Sequence, residues 1–105
     1  TLKPPFRLAT TWRELREDAM ALAASTRPFV LPPLELADHH GFLALFESGK
    51  SADLQAFCDA CVTGLDRHRA PPTEAEIARR NPARMTPRQR DYLHQWGYHY
   101  VFEEW

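Results

Sequence analysis

The sequence predicts an α+β fold, an antiparallel sheet with packed helices. Three observations predict it. Short apolar runs carrying prolines read as strands at residues 1–8 and 29–46. Stretches opening on Ser or Thr continue at helical spacing. Their order is β-α-β-β-α, then a helical excursion, then a last β-prone run. The 105 residues are 44% hydrophobic and 26% charged, with formal net charge −1. That composition suits one globular domain over residues 1–105. It argues against a surface committed as a whole to nucleic acid or membrane. No apolar run reaches the ~20 residues that span a bilayer.

Residues 1–8, "TLKPPFRL", read as a short strand or extended segment, on an edge or at a bulge because Pro4 and Pro5 bring no N–H to a ladder. Thr11 and Glu14 have capping-box spacing and open a helix. Trp12, Leu15, Ala19, Leu22 and Ala23 form its expected buried stripe, and the helix ends before Pro28. Phe29 to Leu36 reads as an edge or bent strand. "ADHHG" is a turn, and "FLALF" (Phe42 to Phe46) is its partner in a hairpin with a loop of several residues. Ser51 caps a second helix from Ala52 to about Arg67.

Within that helix, Cys58 and Cys61 form a CxxC. Leu54, Phe57, Cys58, Cys61, Val62 and Leu65 recur on one face, so the cysteines are expected to pack as small hydrophobes. A structural zinc site needs four ligands, and no second CxxC exists. Pro71 and Pro72 then break the chain. Thr73 and Glu76 cap a short helix to about Arg80, and "NPARM" links it to the next. Thr86, Pro87 and Gln89 begin a further helix, with Tyr92, Leu93 and Trp96 inward and Gly97 at its end. Residues 71–97 read as a helical insert or cap. "YHYVFEEW" is expected to enter a strand. Both ends read as strands cut short, so the chain is expected to be part of a larger protein.

Several features bear on chemistry. Gly49-Lys50-Ser51 lacks the earlier glycine of a phosphate-binding P-loop, since Ala44 stands there. His39 and His40 follow Asp38 in a turn and are read as solvated rather than metal-binding. His94 and His99 are read as packing or surface groups. Arg79, Arg80, Arg84, Arg88 and Arg90 occur with no acid until Asp91. Arginine grips phosphate with a planar fork, and the helix start at Thr86 favours an anion. The other reading is a solvated face neutralised by Glu74, Glu76 and Asp91. Thr1 and Lys3 share one strand face. They either hold a phosphate or simply face water.

The pieces "TLKPPFRLA", "FVLPPLEL", "GFLAL", "RAPPTEAEIARRNP" and "TPRQRDYLHQWGYHYVFEEW", in order along nearly the whole chain, resemble a family of phosphonate-metabolism proteins. That family belongs to the two-histidine (2H) phosphoesterase superfamily. Met85 stands where the family usually has Leu, and His99 where it has Pro. The resemblance implies a two-lobed fold with two His-x-Thr/Ser signatures. Thr1 would be the threonine of the first. Its histidine would lie two places earlier, and the second signature would follow Trp105. It implies a hydrolase using no metal or cofactor on a cyclic or small ribosyl phosphate. One imidazole acts as general base and the other as general acid, and the hydroxyls stabilise phosphoryl charge. With both histidines outside the 105 residues, these alone would be inactive.

Lys3, Arg80, Arg84 and Arg88 are the expected phosphate contacts, with Tyr98 and Tyr100 lining the substrate cleft. The expected partner is a small phosphorylated molecule, without a membrane. Cytoplasmic location fits a chain with no disulfide framework. The alternatives are a non-catalytic module gripping phosphate or nucleic acid through Arg79–Arg90, and a helical accessory region without a site.

Overall fold

The computed structural model describes residues 3–39 and 41–104. Four helices, α1 (Trp12–Ser25), α2 (Ala52–Gly64), α3 (Glu74–Arg79) and α4 (Pro87–Trp96), accompany a hairpin of β1 (Leu34–His39) and β2 (Phe42–Glu47). Short 3₁₀ turns lie at Asp66–His68, Pro82–Arg84 and Phe102–Glu104. The fold is α+β, and its sheet among the described residues has two antiparallel strands.

The helix starts follow the predicted caps. The Glu14 N–H donates to Thr11 Oγ1 and the Thr11 N–H to Glu14 Oε2. The same reciprocal pair joins Thr73 with Glu76 and Thr86 with Gln89. Ser51 accepts from the Leu54 N–H. Each cap satisfies amides that the first helical turn leaves without partners. Gly97 ends α4 at φ 74°, a left-handed conformation open to glycine.

Four expectations need correction. Residues 3–8 form no strand; they make a single antiparallel bridge, Leu8 to Arg69. The Ala9 N–H donates to the His68 carbonyl at 2.7 Å and the Ala70 N–H to the Arg7 carbonyl at 2.8 Å. Pro4 and Pro5 cannot extend that ladder. Second, residues 98–104 are no strand either. Phe102 takes φ 55° and is held edge-on by Trp96 and Tyr92, with centroids 5.3 and 5.4 Å away. Ring packing overrides β propensity here.

Third, the β1–β2 loop is tighter than expected. The register runs from Leu34↔Glu47 to His39↔Phe42, leaving two positions between the strands. Gly41 has φ 88°, and its N–H donates to Asp38 Oδ1 at 2.7 Å. The strand begins only at Leu34, after Pro32 and Pro33. Fourth, α1 buries no residue, and Trp12 is 77% exposed. Leu15 and Leu22 are half-buried, while Ala19 and Ala23 are exposed.

The hydrophobic core gathers Cys58, Cys61 and Val62 of α2, Met85, Leu93 of α4, and Val101. Both cysteines are free thiols. Burial pushes both thiol pKa values up, so they stay neutral in the role the helical pattern predicted.

Candidate anion-binding cleft

The Leu8–Arg69 bridge sets residue 7 beside residue 70. The C-terminal ends of α3 and α4 close around that junction. The result is a cleft of about 440 Å³, lined among others by Lys3, Arg7, Arg69, Arg79 and Arg80, with Glu76 its one carboxylate among the described residues. Phe6 and Trp96 supply apolar wall. The volume falls in the range of small-molecule sites.

The five cations divide into a fixed floor and an open rim. Arg69 is nearly buried. It donates to Asp66 Oδ1 and Oδ2 at 2.8 and 3.3 Å and to the Gln95 carbonyl at 2.8 Å. Gly97 leaves it room: a Cβ there would lie 3.2 Å from Arg69 Cδ and Nη1. Lys3 Nζ donates to the Val62 carbonyl at 3.0 Å and lies 3.5 Å from Asp66 Oδ1. Burial holds the Lys3 pKa below the ordinary lysine value, with Asp66 opposing that shift. Arg7 is half-exposed, donating to Glu76 Oε1 at 3.3 Å and to the Pro71 carbonyl at 2.6 Å.

Arg79 and Arg80 form the rim. Among the described residues neither side chain has a hydrogen bond or ion pair; the Arg80 guanidinium lies over the Tyr98 ring, 5.0 Å from its centroid. Beside them, the Tyr98 and Tyr100 rings flank His99 at 5.2 and 4.0 Å. His99 Nδ1 is buried without a partner among the described residues. Burial first, and the Arg80 charge second, lower the His99 pKa and keep the ring neutral.

The sequence-predicted residues are thus partly gathered. Lys3 and Arg80 line the cleft, and Tyr98 supports Arg80. Tyr100 lies against His99, half-exposed. Arg84 is exposed outside the cleft lining. Arg88 pairs with Glu103 at 2.8 Å, and Arg90 donates to the Met85 carbonyl. Thr86 and Gln89 occupy the capping amides of α4. His39 ends β1 opposite Phe42. Thr1 and His40 lie outside the described residues. Arg7, Arg69 and Glu76 were not singled out as site residues. Nothing local to "PFRLA" or "HRAPP" signals that a bridge joins them.

A second polar cluster ties α1 to the rest. His68 is fully buried, with Nδ1 2.5 Å from Thr10 Oγ1 and Nε2 2.9 Å from Asp18 Oδ2. The Asp18 carboxylate accepts the Nε2 proton, and in that neutral tautomer Nδ1 accepts from the Thr10 hydroxyl. Arg67 Nε donates to the same Asp18 oxygen at 2.6 Å. These bonds, Arg67 first and His68 second, lower the Asp18 pKa to about 2. The residue order suggests a nucleophile–His–Asp triad. A sealed imidazole outside the cleft lining acts instead as a strut for α1.

All 105 residues match the family described as "Protein of unknown function (DUF1045)". The chain belongs to that family. This DUF1045 chain is also 38% identical to a protein of Janthinobacterium sp. (strain Marseille) named "Ribose 1,5-bisphosphate phosphokinase PhnN". That match covers 98% of the chain and 23% of the relative, so the DUF1045 chain spans about a quarter of that relative's length. No solved structure matches it. Among the described residues of the DUF1045 chain, no group of three or more His, Cys, Asp or Glu could hold a metal ion. No helix there is long and apolar enough to cross a membrane.

Proposed function

We propose that the cleft is the phosphate-gripping wall of a phosphoesterase acting on a cyclic or small ribosyl phosphate, in phosphonate metabolism. The observation that carries this reading is the pair Arg79 and Arg80, whose guanidinium groups have no acidic partner among the described residues, above a floor of tethered cations. A guanidinium without a carboxylate partner is available to a phosphoryl group. The floor sets the electrostatic background: Lys3 and Arg69 share Asp66, leaving surplus positive charge beneath the rim.

In this reading the two 2H histidines lie outside the 105 residues. They move protons to and from the reacting oxygens. The Thr1 hydroxyl is assigned the hydrogen bond to the phosphoryl group, and Lys3 is tied to α2 and Asp66. The relative's name supports a ribose phosphate as the kind of ligand. Kinase chemistry is not proposed for this segment. Gly49-Lys50-Ser51 joins β2 to α2, but Ala44 sits in β2 where a P-loop needs glycine.

A cleft of about 440 Å³ favours a small ligand over nucleic acid. Arg88 and Arg90 are engaged elsewhere, so Arg79 to Arg90 makes no continuous cationic stripe. The test is hydrolysis of ribose cyclic phosphates by the full-length protein. Thr1→Ala should lower kcat ~10²-fold, the scale of losing one oxyanion donor. Arg79→Ala with Arg80→Ala should raise KM. An unchanged kcat in the first variant together with an unchanged KM in the second would refute the reading.

A further inference from the structure

We propose that Glu76 is a hydroxyl-reading group in the cleft, so that the site selects a phosphorylated polyol over a bare phosphate. This rests on the phosphate reading above and deepens it. Glu76, Arg79 and Arg80 lie three and four residues apart, on one face of α3 and its cap. That spacing ordinarily lets a glutamate neutralise the arginine one turn on. Here Glu76 turns away from both. Its Oε2 accepts from the Thr73 N–H at 2.7 Å and the Thr73 hydroxyl at 3.1 Å. Its Oε1 faces Arg7 Nε at 3.3 Å.

That last contact is long beside the ~2.7–2.9 Å of a tight charge-assisted bond, so Oε1 keeps capacity to accept. The Thr73 bonds and Arg7 hold the Glu76 carboxyl below its ordinary pKa, which keeps it an ionised acceptor. An acceptor-only group repels a phosphate dianion and offers it nothing. It binds O–H donors. The cleft therefore presents two complementary chemistries within one small volume: unpaired guanidinium groups for a phosphoryl group, and a carboxylate oxygen for the hydroxyls of the sugar bearing it.

The test compares ribose 5-phosphate with inorganic phosphate by calorimetric titration of the full-length protein. Ribose 5-phosphate is expected to bind about tenfold tighter, the worth of one hydrogen bond to a charged group. Glu76→Gln keeps the capping-box chemistry. It should bring the two affinities within about threefold, without weakening inorganic phosphate. Arg79→Ala with Arg80→Ala should weaken both ligands. Equal affinities in the unmodified protein, which need no variant to fold, would overturn the inference. So would a preference that persists in Glu76→Gln. Loss of neither ligand in the double arginine variant would instead overturn the phosphate reading itself.

Discussion

The β1–β2 hairpin and the region around the cleft solve folding in opposite ways. In the hairpin the backbone is paired across six residue positions, while Leu34, Leu36, Leu43 and Leu45, all on one face, stay 49–77% exposed. Around the cleft there is no sheet among the described residues, only one bridge. Yet Leu93 is 1% exposed, His68 is sealed, and the charged floor is nearly buried. Local turn chemistry suffices for the hairpin. The cleft depends on contacts 59 to 69 residues apart, such as Lys3 with Val62 and Arg7 with Glu76. The stability of the cleft side should therefore respond far more strongly to substitution.

The largest effect is expected at Leu93. Leu93→Ala opens a cavity in the core and should cost ~2–5 kcal/mol in chemical denaturation. A cost below 1 kcal/mol would mean the core does not centre on α4. Next comes Gly97→Ala. It places a Cβ at φ 74° against Arg69, and it should cost ~1 kcal/mol or more. It should also displace the guanidinium from Asp66, visible as weaker phosphate binding.

A smaller effect, confined to acid, belongs to Asp18. Its folded pKa is lowered from 3.8 to about 2. Its contribution is therefore complete above the unfolded value and fades as pH falls from 3.8 towards 2. Melting temperatures followed from pH 5 to pH 2 should drop more steeply in the unmodified protein than in Asp18→Asn. Parallel curves would mean the α1 strut contributes nothing. The smallest effect is Leu36→Ala, expected within ~0.5 kcal/mol because its side chain is 67% exposed. A large loss would show that the hairpin face is covered in the protein under study.

This contrast also explains what could be read from the residues. Thr11, Ser51, Thr73, Thr86 and Gly97 place helix boundaries because a cap is a contact within four residues. The buried CxxC was legible because α2 meets the core along one face. The α1 stripe was not, since an apolar pattern says which face could be buried, not whether anything packs there. Trp12 carries that lesson. "YHYVFEEW" misled for a related reason: its rings are satisfied by Trp96 and Tyr92 instead of by a neighbouring strand. At the site, the arginine segment drew attention to Arg79 and Arg80. Only the Leu8–Arg69 bridge and the ion pair to Glu76 show that Arg7 and Arg69 complete the cleft, and neither leaves a local mark.

The most direct test of the central claim is titration of inorganic phosphate into the full-length protein at low and high salt, with Arg79→Ala/Arg80→Ala alongside. The account predicts measurable affinity that weakens with salt and falls about tenfold or more in the double variant. Equal affinity in the two proteins would mean that the cleft does not hold the phosphate.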